Sequence, residues 1–296
     1  MTPRQGGPQA LKALMAGGFV AAPGVCDAFT ARLVANQGYE ALYLGGNALG
    51  VGYAKGQPLI TLTETVDQAA RIIRAVDLPL IVDAGAGFGG PAHVSRTVLE
   101  LESIGAAAVH IDDQPYPKSP NYHRGQGGLV PLEEAVDRIK AAVRGRRDGS
   151  LLIIARTDAL RVTGSLEATI ERARALAAAG ADALMVLDLP PVHAADLGAA
   201  APGLPLVWIG GVEGDTPSFQ ALAEAPFDIA VYPMNTIAAI AEAVSGLWAA
   251  AKLSGTPPQD PAFLRRWRAE LSGIAGMPGY WALEDELAAE RKAPAP

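Results

Sequence analysis

Short apolar runs alternate with longer segments of helical spacing along most of the chain. Each run is rich in branched residues, and a polar or glycine-containing joint separates it from the segment that follows. Eight runs have the length and character of buried strands: residues 19–22, 41–44, 80–83, 108–112, 151–155, 183–187, 206–209 and 229–232. We therefore expect eight β-strands.

The segments between these runs predict amphipathic helices. Thr63 is expected to cap a helix whose apolar face includes Val66 and Ile73, and residues 132–143 show the same periodicity. Because strands alternate with helices and no hairpin signal occurs, the pattern indicates a parallel sheet covered by helices. Eight such units favour a closed (β/α)8 TIM barrel of the α/β class. A doubly wound open sheet is the alternative, because periodicity does not reveal closure.

A joint rich in proline and glycine at residues 255–258 is expected to end the eighth barrel helix. Two further helical stretches follow, at 262–271 and 280–290. The prediction is thus a barrel domain at 1–254 and a helical tail at 255–296 that packs on a neighbouring subunit or caps the barrel.

Composition narrows the class of partner. Half of the 296 residues are hydrophobic, which is enough to bury a large core, and the formal net charge of −7 argues against a nucleic acid partner. A small-molecule ligand is favoured instead. Cys26 is the single cysteine, so no internal disulfide forms and a reducing, cytoplasmic location is expected. The apolar segment 236–251 carries Glu242 and falls short of the roughly 20 residues that a bilayer requires, so neither export nor a membrane span is expected.

Charged side chains follow the third, fourth and fifth strands, where a barrel places its chemistry. Asp83 and Asp112 are expected to share one Mg²⁺, because hard cations prefer carboxylate oxygens. Arg156 is expected to clamp a substrate carboxylate. The alternative is that Asp83, Asp112, Arg156 and Asp158 pair among themselves and close the barrel end.

Two of the segments that follow predicted strands carry further candidate functional groups. Gly45, Gly46 and Asn47 follow the second strand and present backbone N–H groups that can cradle a carboxylate or an enolate oxygen. The long loop 114–130, with its glycines, is typical of a lid over a barrel mouth. His123 on this loop is the leading acid/base candidate, with a solvated loop histidine as the alternative. His110, inside an apolar run, is interpreted as a hydrogen-bonded core residue.

Seven stretches carry a resemblance to a known family: residues 22–28, 43–46, 82–89, 110–114, 154–159, 179–183 and 232–233. In them the chain resembles the isocitrate lyase/phosphoenolpyruvate mutase superfamily across nearly its whole length, with residues 277–284 similar to that family's C-terminal helix. The resemblance implies a barrel whose eighth helix is exchanged between the subunits of a homodimer, commonly within a homotetramer.

Members of this superfamily cleave or form C–C or P–C bonds beside a 2-oxo or 2-hydroxy carboxylate through a Mg²⁺-bound enolate. The resemblance implies Asp83 as direct metal ligand and Asp112 in the place of a metal-associated glutamate. It also implies a substrate-binding set of Tyr43, Gly45, Gly46, Asn47 and Arg156.

The chain departs from the family pattern around the metal and in the lid. The family's D-x-D pair is reduced to Asp83-Ala84-Gly85, and an acidic residue of the loop after the second strand is replaced near Gln57. Mg²⁺ affinity is therefore expected to fall unless the substrate supplies oxygens, and absence of the ion stays open. The lid lacks the family's proton-donating cysteine, which leaves Tyr122 or His123 to move the proton.

These features predict a lyase that breaks a C–C bond next to a 2-oxo or 2-hydroxy carboxylate, with decarboxylation or hydrolysis favoured over cysteine-dependent cleavage. A P–C bond enzyme of the phosphonopyruvate type is the alternative within the same chemistry. A metal-independent diverged enzyme and a non-catalytic ligand-binding protein stay open as well.

Overall fold

Eight parallel strands form a nearly closed barrel in the computed structural model, which describes residues 6–210 and 215–292 except for the side chains of His123 and Lys292. The strands are β1 (Val20–Pro23), β2 (Leu42–Leu44), β3 (Leu80–Asp83), β4 (Ala108–Asp112), β5 (Leu152–Thr157), β6 (Ala183–Val186), β7 (Leu206–Ile209) and β8 (Ile229–Tyr232). Their order in the sheet is β1-β8-β7-β6-β5-β4-β3-β2, and a parallel bridge between Gly24 and Tyr43 joins the two ends. The predicted (β/α)8 barrel is confirmed.

The strand ends differ from the expected ones by one or two residues. β5 continues through Arg156 and Thr157, because both residues pair with β6, at Met185 and Val186. The polar character of these two residues had indicated the end of the strand, but backbone pairing in a parallel sheet does not depend on side-chain polarity.

Thirteen α-helices occur in the described residues: α1 (Pro8–Gly17), α2 (Ala28–Ala35), α3 (Gly46–Gly52), α4 (Leu62–Ala75), α5 (Pro91–Ser103), α6 (Leu132–Gly145), α7 (Ala159–Thr163), α8 (Leu166–Ala178), α9 (Ala194–Ala200), α10 (Phe219–Glu224), α11 (Asn235–Ser254), α12 (Pro261–Ile274) and α13 (Met277–Lys292). The expected cap of α4 was wrong: Thr61, not Thr63, is the N-cap. Thr61 and Glu64 form a reciprocal capping box, in which the Glu64 N–H donates to Thr61 Oγ1 at 3.3 Å and the Thr61 N–H donates to Glu64 Oε2 at 2.9 Å.

The two faces of the sheet bury different side chains. Ile81, Ile154 and Val207 lie in a cluster inside the barrel, whereas Val82 and Ile153 pack outward against the helices. Because side chains alternate along a strand, this register also fixes the direction of the polar residues at the strand ends. It turns five side chains inward: Tyr43, Asp83, His110, Asp112 and Arg156.

The chain divides into two compact units, Met1–Ala238 and Ala239–Pro296. The first contains all eight strands, and the second contains most of α11 together with α12 and α13. The expected boundary at residue 254 stays a prediction.

Helix α11 is 20 residues long, so the expectation of a segment shorter than a bilayer span was wrong. By length and composition it could cross a membrane, and none of its span is buried. It carries exposed apolar side chains, including Trp248 at 59% and Leu253 at 91% exposure. One helix of this kind does not by itself indicate a membrane protein.

Candidate active site

A cavity of about 110 Å³ opens at the carboxyl ends of the strands. It is lined by Tyr43, Gly46, Asn47, Gln57, Asp83, Tyr122, Arg156, Arg161, Leu187, Ile209, Gly210, Pro233 and Met234. Most of the residues expected to bind substrate therefore lie around one space. Ligand sites of (β/α)8 enzymes lie at this end of the barrel.

Arg156 is the cation at the wall of this cavity, and it is buried to 4% exposure. Its Nε donates to Asp158 Oδ1 at 2.9 Å, and its Nη2 donates to Asp158 Oδ2 at 3.3 Å and to the Tyr122 hydroxyl at 3.1 Å. Burial alone would lower the pKa of Arg156, but the charge of Asp158 and other nearby groups holds that pKa well above its usual value. The guanidinium is thus paired with Asp158 inside the barrel and also lines the cavity. Ion pairing at the barrel end is therefore compatible with the expected role of Arg156 as a clamp for a substrate carboxylate.

Asp83 is held by N–H donors. Its Oδ2 accepts the Gly46 N–H at 2.9 Å and faces Gln57 Nε2 at 3.4 Å, and its Oδ1 accepts the Gly85 N–H at 2.8 Å. Burial opposes ionisation, but the nearby His110 ring, the charges of Lys118 and Arg156 and the Gly46 N–H outweigh it and hold the pKa of Asp83 below its usual range. Asp83 is consequently a fixed carboxylate at the cavity wall.

Tyr43 and His110 form a buried pair behind Asp83. The Tyr43 hydroxyl lies 2.9 Å from His110 Nε2, and the two rings stack with centroids 5.8 Å apart. Burial is the main cause that lowers the pKa of His110, which favours the neutral ring, and burial likewise raises the pKa of Tyr43. His110 is a hydrogen-bonded interior residue, as its place in an apolar run indicates, and it contacts the site through Asp83 at 3.4 Å.

Lys118 also lies in the site, and no role was predicted for it from the sequence. Its side chain is only 8% exposed, and its Nζ lies 3.2 Å from Asp112 Oδ2 and 4.7 Å from the centroid of the Tyr122 ring. Burial would lower the pKa of Lys118, but the charge of Asp112 outweighs burial and raises it. The inward orientation of Lys118 depends on how the loop folds over the strand ends.

The lid carries Tyr122 into the site. Residues Pro120–Arg124 form a short 3₁₀-helix, and the Ser119 side chain accepts the N–H of Asn121 at its start. The Tyr122 hydroxyl accepts from Arg156 and donates to Asp158 Oδ2 at 3.3 Å. The His123 side chain lies outside the described part of the chain, so its expected acid/base role stays a prediction.

The joint after β2 is only partly open to a ligand. Gly46 and Asn47 line the cavity, but the Gly46 N–H is already used by Asp83. A Cβ on Gly45 would lie 2.9 Å from Cε1 of the buried Tyr43 ring, and one on Gly46 would lie 2.6 Å from Gln57 Nε2 and displace that side chain. Gly45 and Gly46 therefore allow close packing, and their role as substrate ligands stays a prediction.

The donor set around Asp83 and Asp112 does not fit a tightly held divalent ion. Within residues 6–210 and 215–292, no group of three or more His, Cys, Asp or Glu side chains is arranged to hold a metal. Gly85 and Gln57 direct N–H donors at Asp83, and Lys118 already neutralises Asp112. Mg²⁺ keeps several waters but is anchored by one or two carboxylates, and here N–H donors compete for Asp83 while an ammonium competes for Asp112.

A parallel barrel with a buried, carboxylate-fixed arginine at its ligand-binding end is typical of enzymes that act on small carboxylic acids. The sequence agrees with this class: the profile of the phosphoenolpyruvate phosphomutase family matches residues 11–251. The chain belongs to this family, and the resemblance to its superfamily is confirmed.

Similar proteins are enzymes. An oxaloacetate decarboxylase of Rhodopseudomonas palustris (strain BisB18) is 39% identical over 254 residues, which cover 84% of this chain and 86% of the relative. A 2-methylisocitrate lyase of Shewanella oneidensis (strain MR-1) is 38% identical, with coverage of 89% of this chain and 90% of the relative. Among solved structures, oxaloacetate acetylhydrolase in complex with 3,3-difluorooxalacetate superimposes with a TM-score of 0.87 at 26% identity, covering 96% of this chain and 98% of that chain.

The family is generally Mg²⁺-dependent. A structure of phosphonopyruvate hydrolase with oxalate and Mg²⁺ shares the fold, with a TM-score of 0.81 at 24% identity and coverage of 94% of this chain and 98% of that chain. The metal role of Asp83 and Asp112 in the present chain stays a prediction.

Proposed function

We propose that this protein is a carbon–carbon lyase that acts on a small 2-oxo dicarboxylic acid, with decarboxylation as the favoured reaction. The observation that carries the proposal is the fixed guanidinium of Arg156 at a cavity of about 110 Å³. This volume is well below the roughly 300–1,000 Å³ of pockets for drug-sized ligands, which supports a substrate of few carbon atoms. The two curated relatives named above, an oxaloacetate decarboxylase and a 2-methylisocitrate lyase, support the same reaction class.

The proposed reaction passes through an enolate. The bond that breaks joins the carbon next to the 2-oxo carbon to the leaving group. Its electron pair forms the C=C bond of the enolate while the C=O electron pair moves to the 2-oxo oxygen, and carbon dioxide leaves in the case of decarboxylation. A cation or an N–H donor beside that oxygen lowers the barrier, because charge develops there in the transition state. In this proposal Arg156 binds the substrate carboxylate in two-point fashion and stabilises this charge.

Tyr122 is the favoured proton donor for the resulting enolate. Its hydroxyl lies between Arg156 and Asp158 at the cavity wall, whereas the one cysteine of the chain, Cys26, is buried and has its Sγ 3.7 Å from Thr30 Oγ1. Burial is the main cause that raises the pKa of Cys26, which disfavours a reactive thiolate. These contacts support a reaction without a cysteine acid.

The direct test is turnover of a panel of acids by the purified protein: oxaloacetate, a 3-methyl-2-oxo dicarboxylate, 2-methylisocitrate, isocitrate and phosphonopyruvate, with products followed by mass spectrometry. We expect loss of carbon dioxide from a 2-oxo dicarboxylate. We also expect Arg156→Lys to lower kcat/KM by at least roughly tenfold, because lysine keeps the charge but loses the planar fork, and a hydrogen bond to a charged group contributes about 1.5–3 kcal/mol.

Arg96→Lys is the matched control, since Arg96 is on the surface of α5 with its side chain 68% exposed. Cleavage of phosphonopyruvate alone would instead identify a P–C bond enzyme. Binding of the acids without any product would identify a ligand-binding protein and contradict the proposed lyase.

We further propose that the enzyme is cytoplasmic and works as a homodimer or homotetramer in which the C-terminal helices pack on a neighbouring subunit. Two observations support the assembly. The first unit carries an open groove of about 490 Å³ lined by Phe19, Tyr39 and the half-exposed Phe219. The second unit carries the exposed apolar side chains of α11, and the α11 of a second copy has the length and character to cover such a groove.

A further inference from the structure

The ammonium of Lys118 lies beside Asp112, one of the two carboxylates that the family resemblance implies at the metal. We propose that Lys118 replaces the divalent metal as the electrophile of this enzyme, so that catalysis proceeds without Mg²⁺. The proposal deepens the function proposed above and rests on it, because it concerns the same developing enolate.

The contacts of Lys118 support a functional role. Its Nζ lies 3.2 Å from Asp112 Oδ2, and the side chain lines a second cavity beside Asp83, Gly46 and Gly85. Burying an ammonium costs free energy that a single carboxylate partner often fails to recover. A lysine drawn from a surface loop into such a position is therefore more consistent with selection for chemistry than with selection for stability.

The charges around the site come within one unit of balance without a divalent ion. Three ion pairs surround the ends of β4 and β5: Lys118 with Asp112, Arg156 with Asp158, and Arg172 with Asp113. Asp83, in contrast, accepts hydrogen bonds from uncharged N–H groups. One negative charge thus remains in excess before substrate binds, and a bound Mg²⁺ would reverse it to an excess of one positive charge.

The two positions at which the family resemblance implies further carboxylates explain this balance. Gly85 and Gln57 stand there, and both direct N–H groups at Asp83, at 2.8 Å and 3.4 Å. Two lost carboxylates remove two negative charges, which equals the charge of one Mg²⁺. The chain has therefore lost the oxygens and the charge that would hold the ion, and it keeps one ammonium beside Asp112.

Lys118 would act by charge and hydrogen bonding. As the C–C bond breaks and the C=O electron pair moves to the 2-oxo oxygen, the ammonium stabilises the oxyanion through an N–H hydrogen bond and keeps its own proton. The proton that completes the product on carbon comes from a separate group. No oxidant, reductant or further reactant is required.

Metal binding tests the proposal independently of activity. Wild-type protein, freed of metal with a chelator, is titrated with MgCl₂ by calorimetry and by thermal unfolding, and we expect neither heat of binding nor a rise in Tm at millimolar Mg²⁺. The double variant Gln57→Asp/Gly85→Asp is expected to gain both signals. Gly85 has open space within 4 Å of an added Cβ, and its φ of 51° is one that Asp and Asn tolerate better than other residues.

The matched control is Gln57→Asn/Gly85→Asn, in which both side chains have the same shape as Asp but no charge. It is expected to show neither heat of binding nor a rise in Tm with Mg²⁺. Micromolar binding of Mg²⁺ by the wild type would overturn the proposal whether or not a substrate is found. The same holds if the two double variants respond to Mg²⁺ equally.

Steady-state kinetics provide a second test of the proposal. With the substrate identified by the acid panel, turnover is expected to be the same in EDTA and in MgCl₂, and Lys118→Met is expected to lower kcat by roughly 10²–10³, the usual loss of one oxyanion donor. Lys118→Arg, which retains the charge, is expected to recover part of the rate. Full activity of Lys118→Met, or loss of wild-type turnover in EDTA, would overturn the proposal. If no acid is turned over, the proposed function fails, and the Mg²⁺ titrations still decide whether the site has lost its metal.

Discussion

Asp83 and Arg156 are both buried charged residues, but their hydrogen-bond partners differ and favour different functions. Arg156 is bonded to one carboxylate and one hydroxyl, whereas Asp83 accepts a backbone N–H on each of its two oxygens. These N–H donors compete with a metal for the carboxylate, and a guanidinium held on one edge is suited to receive a carboxylate on another. Residue identity alone predicted both charges and did not reveal this difference.

Tyr122 provides a prediction for a single hydroxyl group. Tyr122→Phe removes the oxygen between Arg156 and Asp158, and we expect kcat to fall by roughly 10²–10⁴ while KM changes little, because a general acid acts mainly in the transition state. Steady-state kinetics on the substrate identified by the acid panel measure this change.

Tyr116→Phe is the matched control, since Tyr116 lies on the same loop and is 44% exposed. His123→Gln is measured alongside it. A normal rate for Tyr122→Phe together with a large loss for His123→Gln would assign the proton transfer to His123.

The residue at which helix α4 begins is determined by local capping interactions. The box of Thr61 and Glu64 satisfies N–H groups at the first turn, and Lys55 forms an ion pair with Glu64 from outside the helix. Thr63, two residues further along, is an equally good capping residue by type. The choice between the two depends on which one has a glutamate three positions later, and that pattern was readable in the sequence.

The same box predicts a pH dependence of stability. The hydrogen bond from Lys55 is the main cause that lowers the pKa of Glu64 from 4.5 to about 2, with the Thr61 backbone and hydroxyl contributing further. A group with a lowered pKa in the folded state stabilises it above the pKa of the unfolded chain, and this contribution is lost as the pH falls towards the folded value. We therefore expect the free energy of unfolding of Glu64→Gln to lie below that of the wild type at pH 6, and the difference to shrink between pH 4.5 and pH 2.

Urea unfolding at several pH values measures the effect, with Glu100→Gln on α5 as control because Glu100 has only a long contact of 3.6 Å to Arg96. A difference between Glu64→Gln and the wild type that does not change with pH would show that the stabilisation is not ionic.

The two compact units differ in how far their residues are buried. The strands of the first unit are almost entirely buried, whereas α11 buries none of its residues within the chain. An apolar helix left uncovered in one copy is expected to be covered in an assembly.

We therefore expect Trp248→Glu/Leu253→Glu to convert the oligomer to monomers, as measured by size-exclusion chromatography with light scattering. Both side chains are exposed in the single chain, so the substitutions cost little within it. Lys252→Glu introduces the same new charge on α11 without removing an apolar side chain, and it should leave the assembly largely intact. A monomeric wild type at micromolar concentration would contradict the expected assembly.

The alternation of apolar runs and helical segments was sufficient to predict the eight strands and the end of α11 near residue 254, because these features follow from local periodicity and turn chemistry. It also placed Asp83, Asp112 and Arg156 at or just after strand ends. Closure of the barrel and the common inward face of these three residues depend on strand pairing and register, which local periodicity does not reveal. The inward position of Lys118, the N–H donors around Asp83 and the link from Tyr122 to Arg156 could not be read in this way. Each joins residues of a loop to a distant strand or helix, and only the folded path of the chain decides which of them meet.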